Sequence, residues 1–358
     1  MSLQVREETL VLGLRDPFRI ARRSAGSEGT VTTVVIELRD DADGRDGPIG
    51  LGEGYPDGYY GESPATIAAV LPRLLASLTP IEADLRGDLE TARAALEDAE
   101  GLMAVAIGHN GAAKCAVDIA LHDLVGKRLG IPVRDFLGLD GAMPATDFTL
   151  GIDAPEAVAE RARRAADFPA LKIKLGGEAD LETLHAVRRV YDGSLRVDAN
   201  TGWTPDTAMS LVPALVDLGV ELIEQPFPAR RYDWLRDLQA VSPLPIVADE
   251  SATTIEDLDA LEGVVQGVNV KLAKCGGIGP ARRMLERARE RGFRTFLGCM
   301  EETSVGIAGS VAVAPLADWA DLDGNLLLAD DPFIGLTLDE GKHWRLSDRP
   351  GLGLMRRD

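Results

Sequence analysis

Two lysines stand two positions apart in an otherwise apolar stretch, "ALKIKLGG" at residues 170–177. If this stretch is a β-strand, alternation places Lys172 and Lys174 on the same face of the strand. Two ammonium groups on one face lower each other's pKa, so that one of them becomes a candidate base. A strand with a charged and solvated outer face would show the same pattern. The residues that follow must therefore decide between the two interpretations.

Charged residues recur at nearly regular intervals further along the chain. From Lys174 the steps are 24 residues to Asp198, 26 to Glu224, 25 to Asp249 and 22 to Lys271. Each step has the length of one strand–helix unit, so these residues are expected at the same level of successive parallel strands. Charges on solvated helix faces would be scattered instead of standing in register.

Three of these residues, Asp198, Glu224 and Asp249, are expected to converge on one point at the carboxyl ends of neighbouring strands. Unpaired, three carboxylates would repel each other strongly, and a hard divalent cation resolves this. Ligands that offer only oxygen favour Mg²⁺ over zinc. Asn200 and Glu250 follow two of the same strands and are expected beside the metal ligands.

The lysines acquire a role in this arrangement. Lys174 on the second barrel strand and Lys271 on the sixth would face each other across the mouth of an eight-stranded ring. One ammonium on each side of a substrate carbon suits removal of a proton from one face and its return to the other. For this the pKa of each lysine must fall toward neutrality, through burial, the metal and Lys172. Lys172 is also predicted to act electrostatically on the substrate carboxylate, while the metal would stabilise the enediolate formed when the α-proton leaves.

Eight strand candidates would position these side chains, with helical patterns between them. Their starts recur every 22 to 27 residues, and they span residues 147–152, 170–175, 195–200, 220–226, 245–250, 267–272, 294–300 and 319–324. A doubly wound open sheet is the alternative, but no G-x-G-x-x-G motif follows the first strand. The predicted fold class is α/β, a modified (β/α)8 TIM-type barrel.

The first third of the chain has a different, α+β pattern. "TVTTVVIEL" and "GPIGLGEGYP" predict an antiparallel sheet, and two amphipathic helices follow it. Residues 1–125 are therefore predicted to form an α+β capping domain and residues 126–325 the catalytic barrel. The C-terminal tail, residues 326–358, is expected to pack back on the capping domain.

Composition excludes several classes of partner. The 358 residues are 45% hydrophobic and 27% charged, with a formal net charge of −20, which argues against nucleic acid or an anionic membrane as a partner. No apolar run approaches the ~20 residues of a membrane helix, and no signal core is evident at the N-terminus, so a cytoplasmic location is expected. Cys115, Cys275 and Cys299 lack metal-type spacing and are expected to be thiols.

The motifs "KIK", "VDAN", "EQP", "ADES" and "KLAKCGGI", in this order and spacing, resemble the enolase superfamily in its muconate-lactonizing branch. The resemblance covers nearly the whole chain. It implies a modified barrel with an N-terminal capping region and a catalytic Mg²⁺ bound by Asp198, Glu224 and Asp249. It also implies that Lys174 and Lys271 act as acid and base on a carbon next to a carboxylate.

The stretch "ADLDG" near the end of the barrel discriminates within this branch. Asp321 and Asp323 would share one face of the last strand and could clamp a substrate ammonium, although a solvated turn is the bland alternative. In the branch, a D-x-D here is typical of dipeptide epimerases, where it holds the N-terminal ammonium of the dipeptide. The resemblance therefore implies a small dipeptide substrate, with L-Ala-D/L-Glu expected, and a homo-oligomer, because such barrels often assemble.

Four further residues are predicted to contact the substrate. Arg23 stands where members that act on acidic dipeptides carry a loop arginine for the substrate glutamate, although loop arginines are often simply solvated. Thr149 resembles a substrate-contacting position, and Cys299 and Met300 could shape the pocket by bulk. On the same site, cycloisomerisation, o-succinylbenzoate synthesis and racemisation of N-acylated amino acids remain alternatives. A barrel that only binds a ligand is the alternative from another class.

Overall fold

The N-terminal part of the chain builds an antiparallel three-stranded sheet. The computed structural model describes residues 2–22, 29–44, 46–139 and 141–357. Strand β1 (Leu3–Gly13) pairs with β2 (Thr30–Asp40), which pairs with β3 (Gly50–Gly54). The apolar and β-branched residues of "TVTTVVIEL" are buried along β2, so the sheet has a continuous hydrophobic core on which helices pack.

Four helices follow this sheet. They are α1 (Pro64–Ser77), α2 (Leu89–Ala106), α3 (Gly111–Leu129) and α4 (Val133–Leu137). Helix α1 begins with a capping box, in which Ser63 Oγ accepts from Thr66 N at 3.2 Å and Thr66 Oγ1 accepts from Ser63 N at 2.8 Å. Most of α3 is buried, because it contacts the sheet on one side and α10 (Leu272–Cys275) and α11 (Ile278–Glu290) on the other.

Glycines let α3 approach β3 very closely. Gly50, Gly52 and Gly54 alternate along the strand and share the face that meets the helix. A Cβ atom at Gly52 would lie 1.9 Å from the carbonyl oxygen of Ala116, a distance that no side chain can occupy. The intervening residue, Glu53, consequently points to the opposite face of the strand.

Eight parallel strands then form the predicted barrel. They are β4 (Phe148–Leu150), β5 (Ala170–Lys174), β6 (Ser194–Asp198), β7 (Val220–Glu224), β8 (Ile246–Ala248), β9 (Gly267–Val270), β10 (Arg294–Gly298) and β11 (Trp319–Asp321). Neighbours in the sheet follow one another in sequence. Asp147 N donates to Ala320 O at 3.1 Å and brings the two edge strands together. The modified TIM-type barrel with an antiparallel N-terminal cap is confirmed.

Helices connect these strands, and the helical patterns of the sequence fall within them. The remaining ones are α5 (Pro155–Arg164), α6 (Asp180–Arg188), α7 (Pro205–Asp217), α8 (Tyr232–Val241), α9 (Asp257–Leu261), α12 (Ser304–Val313) and α13 (Gly324–Leu327). Among the residues that the structure describes, no helix combines the length and apolar character needed to span a bilayer.

The C-terminal tail returns to the N-terminal region. It contains the short strands β12 (Phe333–Ile334), β13 (Thr337–Leu338), β14 (Trp344–Arg345) and β15 (Met355–Arg356). Arg356 Nη2 donates to Glu8 Oε1 of β1 at 2.7 Å, and Leu352 N donates to Asp123 Oδ1 of α3 at 2.7 Å. The domain limits at residues 125 and 325 stay a prediction.

Candidate active site

The carboxyl ends of the barrel strands carry the charged residues that the sequence singled out. The strands β5, β6 and β7 end at Lys174, Asp198 and Glu224, and their register pairs Lys174 with Asp198 and Asp198 with Glu224. Asp249 follows β8 directly, and Lys271 follows β9. These side chains therefore stand at one level of the barrel, at the end where barrel enzymes have their sites.

Three carboxylates meet in this region. Asp198, Glu224 and Asp249 are buried, and each offers an oxygen that lies within 4.8 Å of an oxygen of the other two. Burial raises the pKa of Glu224 to about 8, and the charge of Asp198 adds to the increase. Three crowded carboxylates with oxygen donors only fit a hard divalent cation such as Mg²⁺, whose charge would relieve their repulsion.

The two candidate catalytic lysines line one pocket. Lys174 Nζ lies 2.7 Å from Asp198 Oδ2, and Lys271 Nζ lies 2.9 Å from Asp249 Oδ2. They are four strands apart in the order of the sheet. Burial alone would lower the pKa of Lys271, but the adjacent Asp249 raises it above its ordinary value. Asp249 thus stabilises the ammonium form of Lys271, and the expected fall of its pKa toward neutrality stays a prediction.

Lys172 lies below the pocket and is fully buried. Its Nζ is 2.7 Å from Asp321 Oδ2, 2.8 Å from Glu224 Oε2 and 3.4 Å from Asp198 Oδ2. Burial would lower the pKa of Lys172, but Asp321, Glu224 and Asp198 raise it well above the ordinary value. The predicted action of Lys172 on the substrate carboxylate stays a prediction. In the structure its charge compensates the protein's own carboxylates.

Asp321 and Asp323 both line the pocket, although β11 ends at Asp321 and Asp323 follows it. Thr149 joins them: its backbone N donates to Asp323 Oδ2 at 2.6 Å, and its Oγ1 donates to Asp321 Oδ1 at 3.0 Å. Burial raises the pKa of Asp323 well above the usual range, and the charge of Asp321 adds to it. Because both carboxylates are buried and hydrogen-bonded to Thr149, this stretch is not a solvated turn.

The other polar residues connect the candidate metal ligands to the N-terminal segment. Asn200 N donates to Asp198 Oδ1 at 2.8 Å, and Asn200 Nδ2 donates to Glu250 Oε1 at 3.3 Å. Glu250 forms an ion pair with Arg22, whose Nη2 also donates to Asp57 Oδ2 at 3.0 Å. Arg22 lines the pocket. The predicted specificity residue beside it, Arg23, lies outside the described residues.

The side chains of Cys299 and Met300 line the pocket together with Thr149 and Asp323 and occupy part of its volume. Burial raises the pKa of the Cys299 thiol well above its ordinary value, and the nearby Asp321 adds to the increase. A thiol held in this protonated form is a poor nucleophile, so Cys299 contributes to the shape of the pocket and not to covalent chemistry.

Two buried polar residues beside the ligands were not predicted. Lys274 forms an ion pair with Asp249, and its Nζ also donates to Asp249 O at 2.7 Å and Asn269 O at 2.9 Å. Asn269 Nδ2 donates to Glu224 Oε1 at 2.9 Å. Alternation could have found Asn269, because it precedes Lys271 by two positions on one strand. Lys274 stands three residues after Lys271, within the next turn of helix.

Two family models match the chain. The family model described as mandelate racemase / muconate lactonizing enzyme, N-terminal domain, matches residues 5–138, and the model described as enolase C-terminal domain-like matches residues 156–357. The two matches cover most of the chain, on either side of a short connection.

Individual relatives extend over the whole length of the chain. An L-Ala-D/L-Glu epimerase of Bacteroides thetaiotaomicron is 37% identical over 348 residues, covering 96% of this chain and 86% of the relative. An L-Lys-D/L-Arg epimerase of Methylococcus capsulatus is 36% identical over 376 residues, covering 100% and 99%. The crystal structure of a dipeptide epimerase from Enterococcus faecalis, complexed with Mg and L-Leu-L-Tyr, superimposes with a TM-score of 0.84 at 30% identity, covering 99% of each chain.

Proposed function

This chain belongs to the mandelate racemase / muconate lactonizing enzyme family of the enolase superfamily, and from that premise we propose that it is a Mg²⁺-dependent dipeptide epimerase. It inverts the configuration of the C-terminal residue of a dipeptide, and L-Ala-D/L-Glu is the proposed substrate. One observation carries this proposal: the two carboxylates of Asp321 and Asp323 line the same pocket as Lys174 and Lys271.

The pocket can hold both ends of a dipeptide. Asp321 and Asp323, fixed by Thr149, offer carboxylate oxygens to the N-terminal ammonium of the substrate. Asp198, Glu224 and Asp249 would hold Mg²⁺, whose positive charge would lower the cost of removing the proton next to the substrate's C-terminal carboxylate. The chain is similar to proteins named L-Ala-D/L-Glu epimerase, L-Lys-D/L-Arg epimerase and hydrophobic dipeptide epimerase. The substrates in these names have the same two charged ends and differ in their side chains.

The proton transfers follow from the two lysines. Lys174 in its neutral form takes the α-proton from one face, and the electron pair of the broken C–H bond stays on the substrate. Lys271 in its ammonium form gives its proton to the opposite face and forms the new C–H bond. The configuration is inverted, and the two lysines have exchanged protonation states. In the reverse direction they exchange roles.

Finer aspects of function are part of the same proposal. A dipeptide of alanine and glutamate would come from cell-wall peptides, so we propose a role in their recycling or breakdown. We propose a cytoplasmic location, which the three cysteines support because all of them are free thiols. The net charge of −20 supports neither nucleic acid nor an anionic membrane as a partner. A homo-oligomer is proposed because barrels of this kind often assemble.

A dipeptide library in D₂O with Mg²⁺ tests the proposal. Epimerisation incorporates deuterium at the α-carbon, so mass spectrometry should detect a one-unit gain at the C-terminal residue, with Ala-Glu exchanging fastest. Exchange centred on other dipeptides would keep the chemistry and contradict the assignment of glutamate. No exchange on any dipeptide, with metal bound, would contradict the epimerase proposal.

A pair of matched variants tests the ammonium clamp. The double variant Asp321→Asn, Asp323→Asn should lose dipeptide exchange, because the two neutral amides no longer attract an ammonium. Asp318→Asn is the control, since Asp318 accepts from Thr295 N at the opposite end of the same strand and does not line the pocket. Normal kcat/KM in the double variant would disprove the clamp.

A further inference from the structure

A buried carboxylate of the N-terminal sheet contacts the barrel beside the pocket. Glu53 of β3 is fully buried, and its carboxylate accepts hydrogen bonds from four donor groups. The donors are Thr33 Oγ1 at 2.7 Å, Thr303 N at 3.0 Å, Thr303 Oγ1 at 2.6 Å and Gly306 N at 2.9 Å. Only Thr33 belongs to the same sheet, because Thr303 and Gly306 form the first turn of α12.

The sequence of β3 aims this carboxylate at α12. Gly52 and Gly54 flank Glu53 and lie against α3, where any side chain would collide with a helix carbonyl. Alternation therefore fixes Glu53 on the other face of the strand, toward the barrel. The first turn of a helix has unpaired N–H groups, and the carboxylate of Glu53 satisfies two of those at the start of α12.

The segment that Glu53 holds is a wall of the pocket. Residues 299–303 connect β10 to α12, and Cys299, Met300 and Glu301 from this segment line the pocket. The segment is folded on itself, since Glu302 N donates to Met300 O at 2.8 Å. A Cβ atom at Gly324 would lie 2.2 Å from Met300 O, so the segment is packed tightly against the start of α13.

We propose that Glu53 is a positioning residue for the epimerase reaction, which fixes the segment 299–303 and with it the wall of the substrate pocket. The inference rests on the proposed function for its kinetic consequence. All four donors point at the carboxylate oxygens of Glu53. A glutamine at this position would replace one oxygen by an NH₂ group, which would then face one or two of the backbone N–H donors. The segment would then move, and the substrate would meet a displaced wall.

Glu53→Gln tests the proposal against Asp123→Asn as a matched control. Asp123 is equally buried and accepts from Leu51 N at 2.7 Å, Leu352 N at 2.7 Å and Lys127 Nζ at 2.6 Å, and none of these donors belongs to the segment 299–303. Both variants lose buried hydrogen bonds and should lose stability. Only Glu53→Gln should raise KM for the dipeptide, about tenfold with a smaller change in kcat.

Hydrogen exchange of residues 299–306 gives a readout that does not depend on activity. We expect faster exchange there in Glu53→Gln and wild-type exchange in Asp123→Asn. Unchanged exchange in Glu53→Gln, or a KM no higher than that of Asp123→Asn, would overturn the inference. If the wild-type protein turned over no dipeptide, the proposed function would fail, whereas unchanged exchange alone would show that the anchoring is absent.

A milder variant covers the case in which Glu53→Gln does not fold. Thr33→Val keeps the shape of the side chain and removes one donor to Glu53 Oε1. It should change KM and the exchange of residues 299–306 in the same direction, by about threefold. Wild-type values of both quantities in Thr33→Val would overturn the inference.

Discussion

At the scale of single residues, the site is a compensated cluster of charges. Lys172 contacts three carboxylates at its centre, and Lys174 and Lys271 each contact one carboxylate at its rim. Buried carboxylates without such partners would be very costly. The interior lysine therefore allows two groups of carboxylates, the proposed metal ligands and the proposed ammonium clamp, to lie close together in one barrel.

The two rim lysines lead to a stereochemical prediction. Lys174→Gln and Lys271→Gln should each lower epimerisation by about 10³-fold, because each removes one of two proton-transfer groups. Each variant should still exchange the α-proton of one diastereomer, and the two variants should act on opposite diastereomers, since the lysines lie on opposite sides of the pocket. Exchange of L-Ala-L-Glu and L-Ala-D-Glu in D₂O, measured separately, checks this.

Lys342→Gln serves as the control for these variants. Lys342 forms an ion pair with Asp167, and its carbonyl accepts from Thr146 N just before β4, at the other end of the barrel. Its replacement should leave both exchange rates unchanged. If Lys174→Gln and Lys271→Gln exchanged the same diastereomer, the assignment of one lysine to each face would be wrong.

At the scale of elements, α3 begins without a cap of its own. Its N-cap residue Asn110 has φ 57° and makes no capping hydrogen bond, so Glu62 from outside the helix accepts from Ala112 N at 3.1 Å. Burial raises the pKa of Glu62 to about 7. The unfolded glutamate titrates near pH 4.3, so between about pH 4.3 and 7 the folded protein retains a proton that the unfolded chain releases.

This shift predicts how stability depends on pH. Because the folded state binds the extra proton, the contribution of Glu62 to the free energy of unfolding falls as the pH rises through that window. Glu62→Gln keeps an acceptor for Ala112 N and removes the titration. The free energy of unfolding of this variant, relative to wild type, should therefore be higher at pH 8 than at pH 5 in urea titrations.

Asp88→Asn is the control, because the pKa of Asp88 is lowered in the folded protein whereas that of Glu62 is raised. Asp88 caps α2 by accepting from Thr91 N at 3.0 Å, and this hydrogen bond lowers the pKa of Asp88. Its stabilising effect is present above about pH 4 and is lost only on further acidification. The difference between Asp88→Asn and wild type should thus be the same at pH 5 and pH 8. An equal pH dependence in both variants would contradict the assignment to Glu62.

The contact between β3 and α3 gives a second prediction for an element. Gly52→Ala would place a Cβ atom 1.9 Å from Ala116 O, so the strand and helix must separate. We expect a loss of about 3 kcal/mol in the free energy of unfolding, at the upper end for an overpacked core. Gly58→Ala is the control, because a Cβ atom there meets nothing within 4 Å. Equal stability of the two variants would contradict this close packing.

At the scale of the whole molecule, the sequence predicts the barrel topology correctly but makes several of its strands too long. The strand candidates end at Asn200, Glu250 and Gly324, whereas the strands end at Asp198, Ala248 and Asp321. Asn200 has φ 40°, so the chain leaves the strand there. The regular spacing of polar residues indicates their level in the barrel. It does not show where a strand ends, because a polar residue at the rim can belong either to the strand or to the following turn.

Contacts between distant segments could not be predicted in the same way. Glu53 and Thr303 are 250 positions apart, and no periodicity connects a strand of the cap with a helix of the barrel. Alternation correctly placed Lys172 on the same face of the strand as Lys174. It could not predict that the Lys172 side chain would contact Glu224 and Asp321. Long-range packing decides both cases, and one sequence carries no signal of it.

The metal site connects residues of three neighbouring strands, so Mg²⁺ should stabilise the whole barrel. Asp198, Glu224 and Asp249 meet only in the folded chain, and Mg²⁺ at 100 times its Kd adds about 2.7 kcal/mol to the free energy of unfolding. Treatment with EDTA should lower Tm and abolish epimerisation, and Mg²⁺ should restore both. Glu224→Gln should lose most of the Mg²⁺-dependent shift in Tm, whereas Glu182→Gln, on an exposed helix face, should keep it. An equal shift in both variants would locate the stabilising ion away from the three carboxylates.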